Sequence, residues 1–195
     1  MSDVQQAKRE LRSRILAARK AIPSHIAEAD CDRILHRILD LLSSWGGGLR
    51  VVAYLSIGSE VRTAPLCRAL LARGHELALP RIDSKGGMSA VAIASLEAVS
   101  AGPLGVMEPI GDAALSAPPE VIIVPGVAFS SDGERLGRGK GYYDRFLQQW
   151  PAALRVAPAF ECQLVERIPT EPHDEPVDRI VTPRRLIHAP DRPDR

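Results

Sequence analysis

Residues 133–147 read GERLGRGKGYYDRFL, with glycines at 137, 139 and 141 separated by Arg138 and Lys140. Glycine tolerates positive φ, so alternating glycines can turn successive backbone N–H groups to one side and form an anion nest. Arg138 and Lys140 add formal positive charge to that nest. A helix beginning near Tyr142 would add the partial positive charge of its first turn. Asp144 falls in that turn, where a carboxylate is stabilised and could hold Mg2+ against a phosphate. The chemistry implied is the binding of a multiply charged, metal-bound phosphate. Gly141 follows Lys140 where a Walker loop needs Ser or Thr, and the glycine spacing does not fit the dinucleotide fingerprint. A basic turn ahead of a helix is the competing explanation. Tyr142 and Tyr143 read as packing with a hydrogen-bonding handle.

Other charged residues are less distinctive. Lys8, Arg12 and Arg19 fall in a row beside the apolar stripe of an N-terminal helix, with Arg9 pointing further round toward solvent. Such a row is commonly a solvated, salt-bridged face. Glu60, in SIGSEVRT, follows a strand and could line the crevice at the strand ends, or cap a loop. The segment EPHDEPVD places Glu171, Asp174, Glu175 and Asp178 in a proline-broken acidic loop, from which Asp174 could supply a second oxygen to the metal. His173 is too isolated to assign as a base, and Cys162 reads as a small core residue.

Apolar periodicity supplies the elements that must position these groups. Val4, Ala7, Leu11, Ile15, Ala18 and Ile22 predict a helix over 4–22, followed by Pro23 and by Ser24 as N-cap of a second helix that ends at Gly46. RVVAYL (50–55) reads as a buried strand, and 63–74 as a helix with a Thr63 N-cap and a closing glycine. Strands are expected at 75–80, 88–94, 155–160 and 176–183, and a helix at 142–150. VIIVPG (121–126) is the most hydrophobic strand and is expected to be central. Residues 100–119, rich in Gly, Pro and Ala, read mostly as loop, and a loose tail is expected over 184–195. Strands alternating with helices argue a mostly parallel sheet covered on both faces. In such sheets ligands collect beyond the carboxyl ends of the strands, where the glycine loop falls.

Composition excludes several classes. At 195 residues there is room for one well-buried domain, expected over 1–183, and two would be cramped. A net charge of +1 implies no bulk attraction to nucleic acid or an anionic membrane. Cys31, Cys67 and Cys162 form no CxxC pair, which fits a reducing compartment and argues against a zinc site. The first residues lack a signal peptide's apolar core, and no apolar run approaches the ~20 residues of a membrane span. A cytoplasmic monomer is expected.

Taken together, these segments resemble a known family. FSSDGERLGRGKGYYDRFL (129–147) is similar to the signature of the 5-formyltetrahydrofolate cyclo-ligases, also called 5,10-methenyltetrahydrofolate synthetases. KRELR (8–12), YLSIGSEVRT (54–63), LPRID (79–83), VPGVAF (124–129) and the run 159–183 recur in the family's order. Coverage extends from Lys8 to Pro183, with only a loose match over 84–119. The resemblance implies a three-layer α/β/α domain with the N-terminal helix packed on it. It also implies an ATP- and Mg2+-dependent enzyme of folate one-carbon metabolism. The enzyme would convert 5-formyltetrahydrofolate to 5,10-methenyltetrahydrofolate with release of ADP and phosphate. By the same resemblance, Lys8, Arg9, Arg12, Arg135, Gly137, Arg138, Gly139, Lys140 and Gly141 would bind ATP, with Arg138 and Lys140 at the γ-phosphoryl. Leu55, Glu60, Gly141 and Tyr142 would contact the folate, and Asp144 and Asp174 would hold Mg2+. Arg138, Lys140 and Tyr142 would be the catalytic set. A related ligase acting on another heterocyclic amide, or a non-catalytic binder, would share the phosphate loop but not this whole constellation.

Overall fold

The computed structural model describes residues 3–83, 86–102 and 105–191. The N-terminal apolar stripe forms α1 (Asp3–Lys20), with Asp3 in its first turn and Arg19 and Lys20 in its last, as the helix dipole favours. Helix α2 (Ser24–Ser43) starts directly after Pro23, which occupies the cap position and whose carbonyl accepts from Ala27 N–H at 2.9 Å. The predicted Ser24 cap is therefore displaced by one residue. Strand β1 (Arg50–Val52) is shorter than 50–55, and the residues beyond it leave the sheet to build the site. At the start of α3 (Ala64–Ala72), Thr63 holds the cap position without capping. Its hydroxyl instead donates to the Tyr54 carbonyl and accepts Ser56 N–H, pinning the segment that carries Leu55 and Glu60.

The remaining strands are β2 (Glu76–Ile82), β3 (Met88–Ile93), β4 (Val99–Ala101), β5 (Met107–Pro109) and β6 (Val121–Ile123). Next come β7 (Ala128–Phe129), β8 (Arg135–Leu136), helix α4 (Tyr142–Gln148), β9 (Leu154–Pro158), β10 (Arg179–Val181) and β11 (Leu186–His188). Seven strands form one sheet in the order β11-β10-β9-β6-β1-β2-β3. The five inner strands run parallel and the two edges are antiparallel. The most hydrophobic strand, β6, is the middle one, as expected. β4–β5 and β7–β8 are separate two-stranded hairpins. The first replaces part of the loop expected over 100–119, and β11 occupies part of the tail expected from 184. Both were hidden by three-residue strands too short to show a period of two. Residues 192–195 lie outside the described residues.

Alternation along the parallel strands divides the core between the two faces. Val51, Leu77, Val121, Ile123, Val156 and Val181 meet α2 and α3 through Ile34, Ile38, Leu66 and Leu70. Val52, Ala78, Ile122, Ala157 and Ile180 point the other way, toward Phe146 and Leu147 of α4. Helix α1 rests on neither face. Its Leu11 and Ile15 pack on Val127, Ala128, Leu136 and Ile168, around the β7–β8 hairpin. That docking brings Lys8 and Arg12 beside the glycine loop, which follows β8. No helix among the described residues is long and apolar enough to cross a membrane.

On the α4 face, Arg155 is 1% exposed and its Nη1 pairs with Glu175 Oε2 at 2.8 Å. Its Nη2 donates to the Leu147 carbonyl at 2.9 Å, tying β9, α4 and the acidic loop together. Removing one member of such a pair strands the other charge in the core, which costs about 3–5 kcal/mol. Arg155→Ala is expected to lower unfolding free energy by about that amount in urea titrations. A shift below about 1 kcal/mol would show that the pair does not brace the fold.

Candidate active site

Beyond the carboxyl ends of β1, β2 and β6 opens a cleft of about 950 Å³. Every site residue predicted from the sequence lines it: Lys8, Arg9, Arg12, Leu55, Glu60, Arg135, Gly137, Arg138, Gly139, Lys140, Gly141, Tyr142, Asp144 and Asp174. The cleft also takes in Tyr143, which the sequence reads as packing, and groups that sequence reasoning passed over, among them Tyr54, Pro80, Ile82, Met88, Met107 and Glu108. Its two sides differ in character. One is basic and built from α1 and the glycine loop. The other is largely apolar and built from the ends of β1 and β2, from β3 and from the β4–β5 hairpin.

The glycine loop turns through left-handed backbone at two of its glycines. Gly139 and Gly141 hold φ of 92° and 67°, a region that side chains rarely adopt. Gly137 serves differently: a Cβ there would come within 3.0 Å of Arg135 Nη1, so this glycine makes room for a buried guanidinium. The Gly137 carbonyl accepts from Arg12 Nε at 2.8 Å, anchoring the loop to α1. A smaller recess behind the loop is lined by Lys140, Asp144, Arg145, Gln148 and His173, leaving open space on both sides of it.

Charges in the cleft are cross-paired. Lys8 Nζ donates to Asp174 Oδ2 at 2.6 Å and to Glu171 Oε2 at 2.9 Å. Burial alone would depress its pKa, but those two carboxylates outweigh burial and raise it, so Lys8 is firmly cationic. Arg12 is shifted the other way, lowered by burial. Arg138 donates from Nε and Nη2 to Glu60 Oε1, at 3.1 and 2.7 Å, while Ile57 N–H donates to Glu60 Oε2 at 2.9 Å. Arg135 Nη2 donates to Asp144 Oδ1 at 2.5 Å, and Glu175 N–H reaches the same oxygen at 3.2 Å. Lys140 is exposed and makes no hydrogen bond or ion pair among the described residues. Arg9 is exposed on α1 and bonds Gln6. Arg19, the third member of the predicted row, leaves the cleft and donates to Ser59 Oγ at 3.0 Å behind the Glu60 loop. Burial pushes the Tyr54 and Tyr143 phenols well up, keeping both neutral.

The two predicted metal ligands face the same cleft but are held by different cations, Asp144 by Arg135 and Asp174 by Lys8. Asp174 is one of a cluster with Glu171 and His173 whose donor atoms lie within 4.8 Å of one another. Glu171 and His173 are thus nearer to Asp174 than the sequence pairing of two aspartates suggests. Tyr142 sits beneath Arg145, whose guanidinium carbon is 5.5 Å from the ring centre.

A basic loop opposite an apolar wall can bind an anionic phosphate beside a heterocycle. Comparison with known proteins narrows this. The model of the 5-formyltetrahydrofolate cyclo-ligase family matches residues 4–183. A 5-formyltetrahydrofolate cyclo-ligase of Mycolicibacterium smegmatis is 32% identical over 203 residues, covering 94% of this chain and 97% of that protein. The Escherichia coli K12 cyclo-ligase is 34% identical over 143 residues, covering 70% of this chain and 79% of its own. The solved structure of Aquifex aeolicus 5,10-methenyltetrahydrofolate synthetase superposes with a TM-score of 0.82 at 31% identity, covering 96% of this chain and 95% of that one. The chain that folds its cations and carboxylates into this cleft belongs to the 5-formyltetrahydrofolate cyclo-ligase family.

Proposed function

We propose that the basic side of the cleft holds the polyphosphate of ATP while the apolar side holds the reduced folate, with the γ-phosphoryl aimed at the formyl oxygen. The overall activity follows from the family: ATP-dependent 5-formyltetrahydrofolate cyclo-ligation. The assignment of steps to residues is the proposal. The formyl oxygen attacks the γ-phosphorus and ADP departs, leaving a phosphorylated imidate. N10 then attacks the activated carbon, phosphate leaves and the five-membered ring closes. An amide oxygen is a weak nucleophile, so the protein's contribution is alignment and charge stabilisation. This accounts for a cleft rich in cations, with no Ser–His or Cys–His pair among its described residues.

Lys8 and Arg12 serve the phosphates from α1, assisted by Arg9, and residues 137–140 close over them with Arg135 bracing the loop. Arg138 and Lys140 attend the transferring phosphoryl. Leu55 and Glu60 contact the folate, Glu60 through pterin N–H groups. Gly141 and Tyr142 line the junction between the two substrates. The observation that carries this reading is Lys140: an exposed cation between two positive-φ glycines, with no carboxylate partner among the described residues, at a cleft where the other loop cation is paired. A cation with no internal partner is free to meet a developing phosphoryl charge.

The donor set fits a hard divalent cation, since Asp144 and Asp174 present carboxylate oxygens to the phosphate side of the cleft. Asp144 uses Oδ1 for Arg135 and Glu175 N–H, and its other oxygen makes no hydrogen bond among the described residues. When bound, Mg2+ neutralises charge on the β- and γ-phosphates. Asp144 and Asp174 would hold it.

Three results test this reading. Purified protein with 5-formyltetrahydrofolate, ATP and Mg2+ is expected to produce the near-ultraviolet absorbance of the methenyl product; ATP binding without that product would reject the folate assignment. Lys140→Ala is expected to lower kcat by about 10²–10³-fold while folate affinity stays within about threefold. Undiminished turnover would reduce Lys140 to a surface cation. Asp144→Asn is expected to raise the Mg2+ concentration for half-maximal rate by about tenfold or more. An unchanged metal titration would remove Asp144 from the ligand set.

A further inference from the structure

Five carboxylates among the described residues line the cleft: Glu60, Glu108, Asp144, Glu171 and Asp174. Four are ion-paired, to Arg138, Arg135 and Lys8. Glu108 is the exception among the described residues. It is 7% exposed, has no cation within salt-bridge distance among the described residues, and accepts one hydrogen bond from them, from Ile82 N–H to Oε1 at 3.3 Å. A buried carboxylate without a cation is costly to the fold, so its retention calls for a ligand that donates to it. The chain also makes space for it. Glu108 stands opposite Ser100 on the β4–β5 hairpin, and a Cβ on nearby Gly102 would come within 2.5 Å of its Cδ. The backbone of one strand is thus bare where the carboxyl of the other lies against it.

Its location suggests which donor it meets. Val106 and Met107 line the cleft beside it, Met107 is 40% exposed, and Ile110 on the same hairpin is 59% exposed. The hairpin therefore forms the lip of the apolar side, with Glu108 set inward of the mouth. Glu60, on the β1–α3 loop, stands beside the phosphate loop, paired with Arg138. If the pterin meets Glu60 and the rest of the folate extends toward the mouth, the C9–N10 bridge lies between the two ends, and N10 is its reacting atom. N10 bears a proton that ring closure must release. Tyr54 and Tyr143 are neutral phenols and cannot take it. The His173 side chain is 65% exposed and stands by Asp174.

We propose that Glu108 is a catalytic residue of the ring-closing step, its carboxylate accepting the N10 proton. The inference rests on the folate reading above. In that step the N10–carbon bond forms and the carbon–oxygen bond to phosphate breaks. The bonding pair leaves with the phosphate, and the N10 proton passes to Glu108 and on to solvent. No oxidant, reductant or further reactant is needed. A carboxylate whose charge is not committed to a cation suits the task, because a general base must accept a proton within hydrogen-bond reach of its donor.

Rapid-quench turnover of Glu108→Gln, following ADP and methenyl product together, tests this. Glutamine keeps an oxygen for Ile82 N–H but cannot take the proton. One equivalent of ADP is expected at the wild-type rate, with methenyl formation slowed about 10²-fold or more. Methenyl formation keeping pace with ADP at the wild-type rate would overturn the proposal, because the proton would then go to the departing phosphate or to water. Equal slowing of both would also overturn it, in favour of a binding role. Glu108→Asp, which keeps a carboxylate, is the second variant: methenyl formation faster than in Glu108→Gln by about tenfold or more is expected. Methenyl formation as slow as in Glu108→Gln overturns the proposal. Wild-type protein that makes no methenyl product would remove the folate reading itself, whereas a competent wild type with an equally competent variant removes only the role of Glu108.

Discussion

The cleft depends on one constraint: it concentrates five carboxylates and several cations in a partly desolvated space, where each unpaired charge is expensive. The fold meets that constraint by pairing groups that lie far apart in the chain. Lys8 reaches Glu171 and Asp174 across more than 160 residues, and Arg138 reaches Glu60 across 78. These contacts do for the site what the apolar core does for the sheet. They hold α1, the β1–α3 loop, the glycine loop and the acidic loop against one another at the strand ends. Arg155 and Glu175 extend the arrangement into the core. Glu175 is adjacent to Asp174 and gives its N–H to Asp144, so a buried ion pair helps set both aspartates.

Helix α1 illustrates how packing and chemistry share one element. Its apolar stripe is only wide enough for Leu11 and Ile15 to be buried, and they meet the β7–β8 hairpin, not a face of the sheet. The helix is consequently held by the same hairpin that launches the glycine loop. A shift of α1 would move Lys8 and Arg12 together and would carry Gly137 with them through the Arg12 hydrogen bond. Packing at Leu11 thus fixes the position of cations that never touch the sheet.

Much of this was legible in the sequence because the chemistry of the glycine loop is contiguous: three glycines, two cations and an aspartate within a few residues. The parallel strands were legible because they are buried on both faces and read as apolar runs, with β6 at the centre. What stayed hidden depends on tertiary pairing. Lys8 and Arg12 read as a solvated face until the family resemblance gave them a role, because nothing local shows that Asp174 and Gly137 lie opposite. Thr63 has the right residue type and position for a cap, yet its hydroxyl serves the Tyr54 carbonyl. Glu108 left no signal at all. It sits on a three-residue strand in a Gly- and Pro-rich segment, and its significance lies in having no cation among the described residues, which only the surrounding structure reveals.

The same cross-pairing limits what the cleft can gain from its substrates. A phosphate that engages Arg138, or a pterin that engages Glu60, gains the new contact only after weakening an existing one at 2.7 Å. Net affinity is therefore a difference between comparable terms, and it cannot be read from the number of charges lining the cleft. Lys140 is exempt, since it has no internal partner to give up among the described residues. Its interaction with an incoming charge is offset only by its own hydration and side-chain freedom. For catalysis that distinction matters, because a group free until phosphoryl charge develops can favour the transition state over the bound ground state. On the proposed assignment Lys8 would hold the polyphosphate while Arg138 and Lys140 attend its transfer, and of that last pair only Lys140 has no contact among the described residues to give up.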